Sequence, residues 1–146
     1  MTQATAANLF SAALARRVDQ PALMTEEIRT ETCRTWLDAG VLCVEQVGIQ
    51  TYEAACVNVA ASQKVAAGRR LPMLVDMSKV TTITREARER YASPGNQETI
   101  SACAIVVGSR LNRFIGNFFI GLNKAPVPTR LFDTPADARA WLMQFA

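Results

Sequence analysis

Leu71–Tyr91 reads LPMLVDMSKVTTITREARERY, and its reading decides the fold. Leu71, Met73, Leu74, Val75 and Met77 form a near-continuous apolar run, the pattern of a strand covered on both faces. Asp76 stands at the end of that run. A polar turn follows, carrying Ser78, Thr81, Thr82 and Thr84, and Arg85-Glu86-Ala87-Arg88 then opens a helix. In α/β proteins, ligands and partners meet the chain outside the carboxyl ends of the strands. This turn is therefore the first place to look for function.

Upstream, Ile28–Leu37 and Val41–Val47 read as two strands joined at Asp38-Ala39-Gly40, a hairpin turn with glycine available for positive φ. The first strand mixes polar and apolar residues and belongs at an edge. The second, VLCVEQV, belongs further in. Thr51 caps a helix from Tyr52 to Ala67, with Tyr52, Ala55, Cys56, Val59 and Ala60 on one face and Gly68 as its stop. Downstream, Ala102–Val107 is a short buried strand. Gly108-Ser109 turns it into a helix from Arg110 to about Asn123, with Leu111, Phe114, Ile115, Phe118 and Leu122 on its apolar face. Thr129–Phe132 is a last strand. Thr134-Pro135-Ala136-Asp137 starts a terminal helix: a Thr cap, Pro at the first helical position and an acid to complete the capping box.

Residues 1–27 read as an Ala-rich helical extension and linker, and residues 28–146 as one domain. Strands that alternate with helices imply a largely parallel sheet with right-handed crossovers. The fold class expected is α/β: about five strands, one of them an antiparallel edge strand from the N-terminal hairpin, with helices packed on the sheet.

Composition excludes several classes. The chain has 146 residues and a net charge of +3, and its basic residues are scattered rather than interleaved with aromatics, which argues against nucleic acid. No apolar run approaches the roughly 18 residues that would span a bilayer. There is no histidine, so Ser-His and Cys-His nucleophiles, histidine metal sites and phosphohistidine relays are all absent. Cys33, Cys43, Cys56 and Cys103 are widely spaced in apolar surroundings and read as small core residues of a cytoplasmic protein. No glycine-rich nucleotide fingerprint is present. Neither a metal nor a cofactor is expected.

Leu74–Arg88 carries a resemblance. LVDMSKVTTITREAR resembles the segment L-D-L-S-x-V-x-x-(I/L/M)-D-S-S-G-L of the SpoIIAA-like, or STAS, domains, which include the bacterial anti-sigma-factor antagonists. Asp76-Met77-Ser78 falls on D-L-S, Val80 on the family's Val and Ile83 on its apolar position, with no gap. Val41–Gly48 looks like the family's second strand and the glycine after it. Pro128–Leu142 resembles the end of bacterial STAS/SEC14-type proteins. The resemblance implies the SpoIIAA fold and a non-enzymatic protein-interaction role. In the antagonists the D-S-S-G turn carries a regulatory phosphoserine. Here Thr84 falls on its Asp, Arg85 on the phosphorylated Ser, Glu86 on the second Ser and Ala87 on the Gly, so the phosphoacceptor is absent and kinase-controlled switching is not implied.

Two constellations follow. Asp76, Ser78, Thr84, Arg85 and Glu86 form a candidate surface for a protein partner; the same residues also suit turn and helix capping and a solvated charged face. Ser109, Arg110 and Arg113, at the start of the next helix, suit a small anionic or lipid-like ligand, or a simple cap with exposed arginines. The Phe114, Phe118 and Phe119 stripe reads as core, as the wall of a lipid-like pocket or as a surface for a homodimer.

Overall fold

The computed structural model describes residues 26–93, 95, 98–108 and 127–145. The expected N-terminal helix and the helix from Arg110 to Asn123 lie outside the described residues. Six strands form one sheet: β1 (Glu27–Arg29), β2 (Cys33–Asp38), β3 (Val41–Gln50), β4 (Leu71–Ile83), β5 (Ile100–Val106) and β6 (Thr129–Phe132). Their spatial order is the chain order. β1–β2 and β2–β3 pair antiparallel, whereas β3–β4, β4–β5 and β5–β6 pair parallel. The α/β class and the mainly parallel sheet are as expected.

The segment read as a single first strand is two. Ile28 opposes Thr35, and the chain between Arg29 and Arg34 folds into a turn closed by the Thr30 amide on the Cys33 carbonyl at 2.8 Å. Threonines carry strand propensity, which hid the break; the Thr30 hydroxyl in fact stabilises the turn by accepting from the Thr32 amide. The β2–β3 hairpin closes on two residues, Ala39 and Gly40, with φ of 52° and 82°. Positive φ at both positions matches the strand twist.

Helix α1 (Tyr52–Ala66) follows β3, and α2 (Arg85–Tyr91) follows β4. Helix α3 (Pro135–Leu142) follows β6, and a 3-10 turn, Met143–Phe145, closes the described chain. Each helix starts on the cap that the sequence supplies. The hydroxyls of Thr51, Thr84 and Thr134 accept from the amides of Ala54, Ala87 and Asp137 at 3.1, 3.1 and 3.2 Å.

The sheet separates two cores. On one face, Leu42, Val44, Val75, Met77, Val80, Ile83, Ile100 and Ile105 pack with Ala55 and Val65 of α1 and Ala87 of α2. On the other, Val41, Cys43, Leu74, Ala102, Ala104 and Val106 pack with Ala138 and Leu142 of α3, and Trp36, Phe132, Trp141 and Phe145 close the edge. The four cysteines are free thiols. Cys33 faces the α1 core and Cys43 the α3 core, so the sheet lies between them. Among the described residues, no helix is long and apolar enough to cross a membrane.

Candidate functional site

The largest departure from the sequence reading is at β4. The stretch Ser78–Ile83 is strand, not turn, and β4 runs for 13 residues. Its first half is a central strand: Leu71–Asp76 pairs with β5, ending at Asp76 opposite Val106. Its second half pairs with β3 alone among the described residues, as far as Gln50 opposite Ile83. β3 and β4 thus project beyond the rest of the sheet as a two-stranded ribbon. Polar residues suit it because one face stays wet: Val80 and Ile83 are buried, whereas Lys79, Thr81 and Thr82 are exposed.

Two irregularities bend the ribbon. β4 gains one residue on β3 between Glu45 and Val47, and another between Gly48 and Ile49. Such bulges re-aim a strand and mark its designed end. At the first, one carboxylate oxygen of Asp76 accepts from both the Ser78 amide and the Ser78 hydroxyl, at 2.9 and 2.6 Å. At the same place Gly108, just past β5, lies against Ser78; a Cβ on Gly108 would stand 2.6 Å from the Ser78 Cβ. Asp76, Ser78 and the exit of β5 therefore meet, as the topology implied. Ser109, Arg110 and Arg113 lie outside the described residues.

Thr84, Arg85 and Glu86 are elsewhere. Six residues of strand separate Ser78 from Thr84, on the order of 20 Å at the usual rise. The five residues grouped by sequence proximity thus fall into two places. At the ribbon tip, the Thr84 amide donates to the Gln50 carbonyl at 3.0 Å and the Thr84 hydroxyl caps α2. Arg85 is 73% exposed at its side chain and pairs with Glu89 one turn on, at 3.2 Å. Beside them, Ile49 is 54% exposed in register with Thr82. Tyr52, at the start of α1, is also exposed.

Beneath the tip lies a buried polar network. Of the face expected for α1, Ala55 and Val59 are buried, but Tyr52 and Ala60 are exposed and Cys56 is half-buried; Asn58, Ser62 and Val65 are buried instead. Asn58 and Ser62 are polar and drew the expected face away from themselves. The Asn58 amide nitrogen donates to the Thr32 hydroxyl at 3.0 Å, to Gln50 Oε1 at 3.2 Å and to the Tyr91 hydroxyl at 3.1 Å. Its oxygen accepts from the Thr30 hydroxyl at 2.7 Å. The Tyr91 hydroxyl donates to Gln50 Oε1 at 2.5 Å, and Gln50 Nε2 donates to the carbonyls of Thr32 and Val47. Burial pushes the Tyr91 phenol well above its ordinary value, so it stays a neutral donor. One cluster thus ties the β1–β2 turn, the end of β3, α1 and α2 together.

Comparison with known proteins adds a family. Residues 35–146 match the model of a domain of unknown function, DUF7793. The chain belongs to the DUF7793 family. No curated protein matches it. The DUF7793 chain is similar in fold to the crystal structure of an uncharacterized protein of the DUF3478 family, with a SpoIIAA-like fold, from Shewanella loihica PV-4. The two are 17% identical over 81% of this chain and 91% of that one, with a TM-score of 0.55. A crystal structure of a protein with unknown function from Arthrobacter sp. FB24 is 28% identical over 81% of this chain and 98% of that one, with a TM-score of 0.30. The fold of this DUF7793 protein is therefore SpoIIAA-like, as the Leu74–Arg88 resemblance implied.

Proposed function

We propose that this DUF7793 protein is a non-enzymatic interaction module that docks a protein partner at the tip of the β3–β4 ribbon. The surface comprises Ile49, Thr82, Thr84, Arg85 and Glu86; Asp76 and Ser78 support it from the ribbon's base by setting the first bulge. One observation carries the reading: Ile49, 54% exposed, precedes Gln50, whose carbonyl accepts from the Thr84 amide at the start of the helix that carries the exposed Arg85. An apolar anchor rimmed by charge is the usual make-up of a protein-binding patch. Arg85 stands where the phosphorylated serine of the antagonists falls, so docking here is constitutive rather than switched by a kinase.

The test is capture from a cell lysate by the intact protein and by Arg85→Glu and Ile49→Asp. Both substitutions are at exposed positions and are expected to leave the fold intact, which circular dichroism checks. Loss of the same captured protein from both variants supports the reading. Unchanged capture by both, or no specific capture by the parent protein, overturns it.

A further inference from the structure

Among the described residues, α3 packs on only one half of the sheet face that carries it. Across the other half runs one row of charged residues in direct register. Arg29 of β1 opposes Arg34 of β2, Arg34 opposes Glu45 of β3, and Glu45 opposes Asp76 of β4. Directly opposed residues point to the same face, so the row reads plus, plus, minus, minus across four strands. Like charges directly opposite each other are unfavourable, and this row contains two such pairs.

The chain relieves them only in part. Glu27 bridges the two arginines, at 2.6 Å from Arg29 and 2.9 Å from Arg34. Lys79 reaches Glu45 at 3.2 Å. Glu31, in the β1–β2 turn, lines the same pocket as Arg29, Arg34 and Glu45. The Arg34 guanidinium is held over the Trp36 ring at 4.0 Å. The row is unevenly accessible: the Arg29 side chain is 70% exposed, and those of Arg34 and Glu45 are 36% and 26% exposed.

A plus-plus-minus-minus row is self-complementary. A two-fold axis lying in the contact plane, parallel to the strands and between β2 and β3, sets Arg34 against Glu45 of a second copy and Arg29 against Asp76. Rotation about any axis across the strands would set like charges together. We propose that this half-face is the contact between two copies of the chain, with the charge row fixing their orientation. The row does not include Ile49, Thr82, Thr84, Arg85 or Glu86, so this inference does not rest on the docking surface proposed above. Exposed charge pairs contribute orientation more than affinity, so the dimer is salt-sensitive and concentration-dependent.

The experiment is sedimentation velocity of the full chain at low ionic strength and in about 0.5 M salt, where the Debye length falls below about 5 Å. The parent protein is expected to sediment as a dimer at low salt and to shift toward monomer at high salt. Arg34→Glu and Glu45→Arg are each expected to be monomeric alone. Mixed in equal amounts they restore both cross-contacts, and the dimer returns. Arg29→Glu, at a more exposed position, replaces Arg34→Glu in the single-variant test if that variant folds poorly. A parent protein that is monomeric at all concentrations, single variants that remain dimeric, or folded variants whose mixture stays monomeric would each overturn the proposal.

Discussion

Gly108 and Asn58 show how single residues set the shape of the site. Gly108 admits no Cβ, because the Ser78 Cβ would lie 2.6 Å away. Gly108→Ala is expected to cost about 1–3 kcal/mol, the usual range for overpacking. Adding Ser78→Gly should recover part of that loss, a coupling that denaturant unfolding of the two single variants and the double variant measures directly. Asn58 is the hub of the buried network, 2% exposed and bonded to four side chains. Asn58→Leu strands several buried partners and should cost about 2–3 kcal/mol, whereas Tyr91→Phe removes one donor and should cost about 1 kcal/mol. Equal losses in urea unfolding would refute the hub assignment. The three threonine caps were legible because a hydroxyl before a helical run has one common use. Asn58 was not: its partners come from the β1–β2 turn, β3 and α2, and helical spacing carries no sign of them.

Among the elements, β4 was read half correctly. Its apolar half announced a buried strand, while Ser78–Thr82 was taken for a turn because it is polar. The β-branched run Val80-Thr81-Thr82-Ile83 was the available signal, since such residues fit a pleated surface with one wet face. The two bulges had no such signal, because register is decided between strands and not within one. This difference moved the candidate site. Once β4 is extended, Arg85 and Glu86 sit at the tip of a ribbon, far from Asp76 and Ser78. Helix α2 is fixed there by little apolar burial: Ala87 is its one fully buried residue, Tyr91 packs partly buried on the same core, and Arg88 and Tyr91 add polar contacts. On the proposed reading the patch would bind by shape and charge, so a single reversal such as Arg85→Glu is expected to abolish capture.

For the whole molecule, the element order and the Leu74–Arg88 resemblance specified the SpoIIAA-like fold, because strand–helix alternation leaves few sheet topologies open. The extra antiparallel strand β1 escaped because three residues carry almost no periodicity. The core of this sheet also holds thiols that couple its stability to alkaline pH. Burial pushes the Cys103 thiol up to about 12 from its ordinary 9.0. The folded chain keeps this proton where the unfolded chain has lost it, so nothing changes below pH 9.0, and between there and pH 12 the fold is progressively disfavoured. One such group contributes about 1.4 kcal/mol per pH unit. Burial raises Cys33 and Cys43 in the same direction. Cys103→Ala should flatten the fall of stability with alkaline pH by about one proton's worth; denaturant midpoints measured on either side of pH 9.0 read the change, and an unchanged slope would contradict it.

The central claim, that a partner docks at the ribbon tip, is tested most directly by amide hydrogen exchange of the protein with and without its captured partner. The account predicts slowed exchange at Ile49–Gln50 and Thr82–Glu86, with α3 and β1 unchanged. Protection on α3 or β1, or none at the tip, would contradict it.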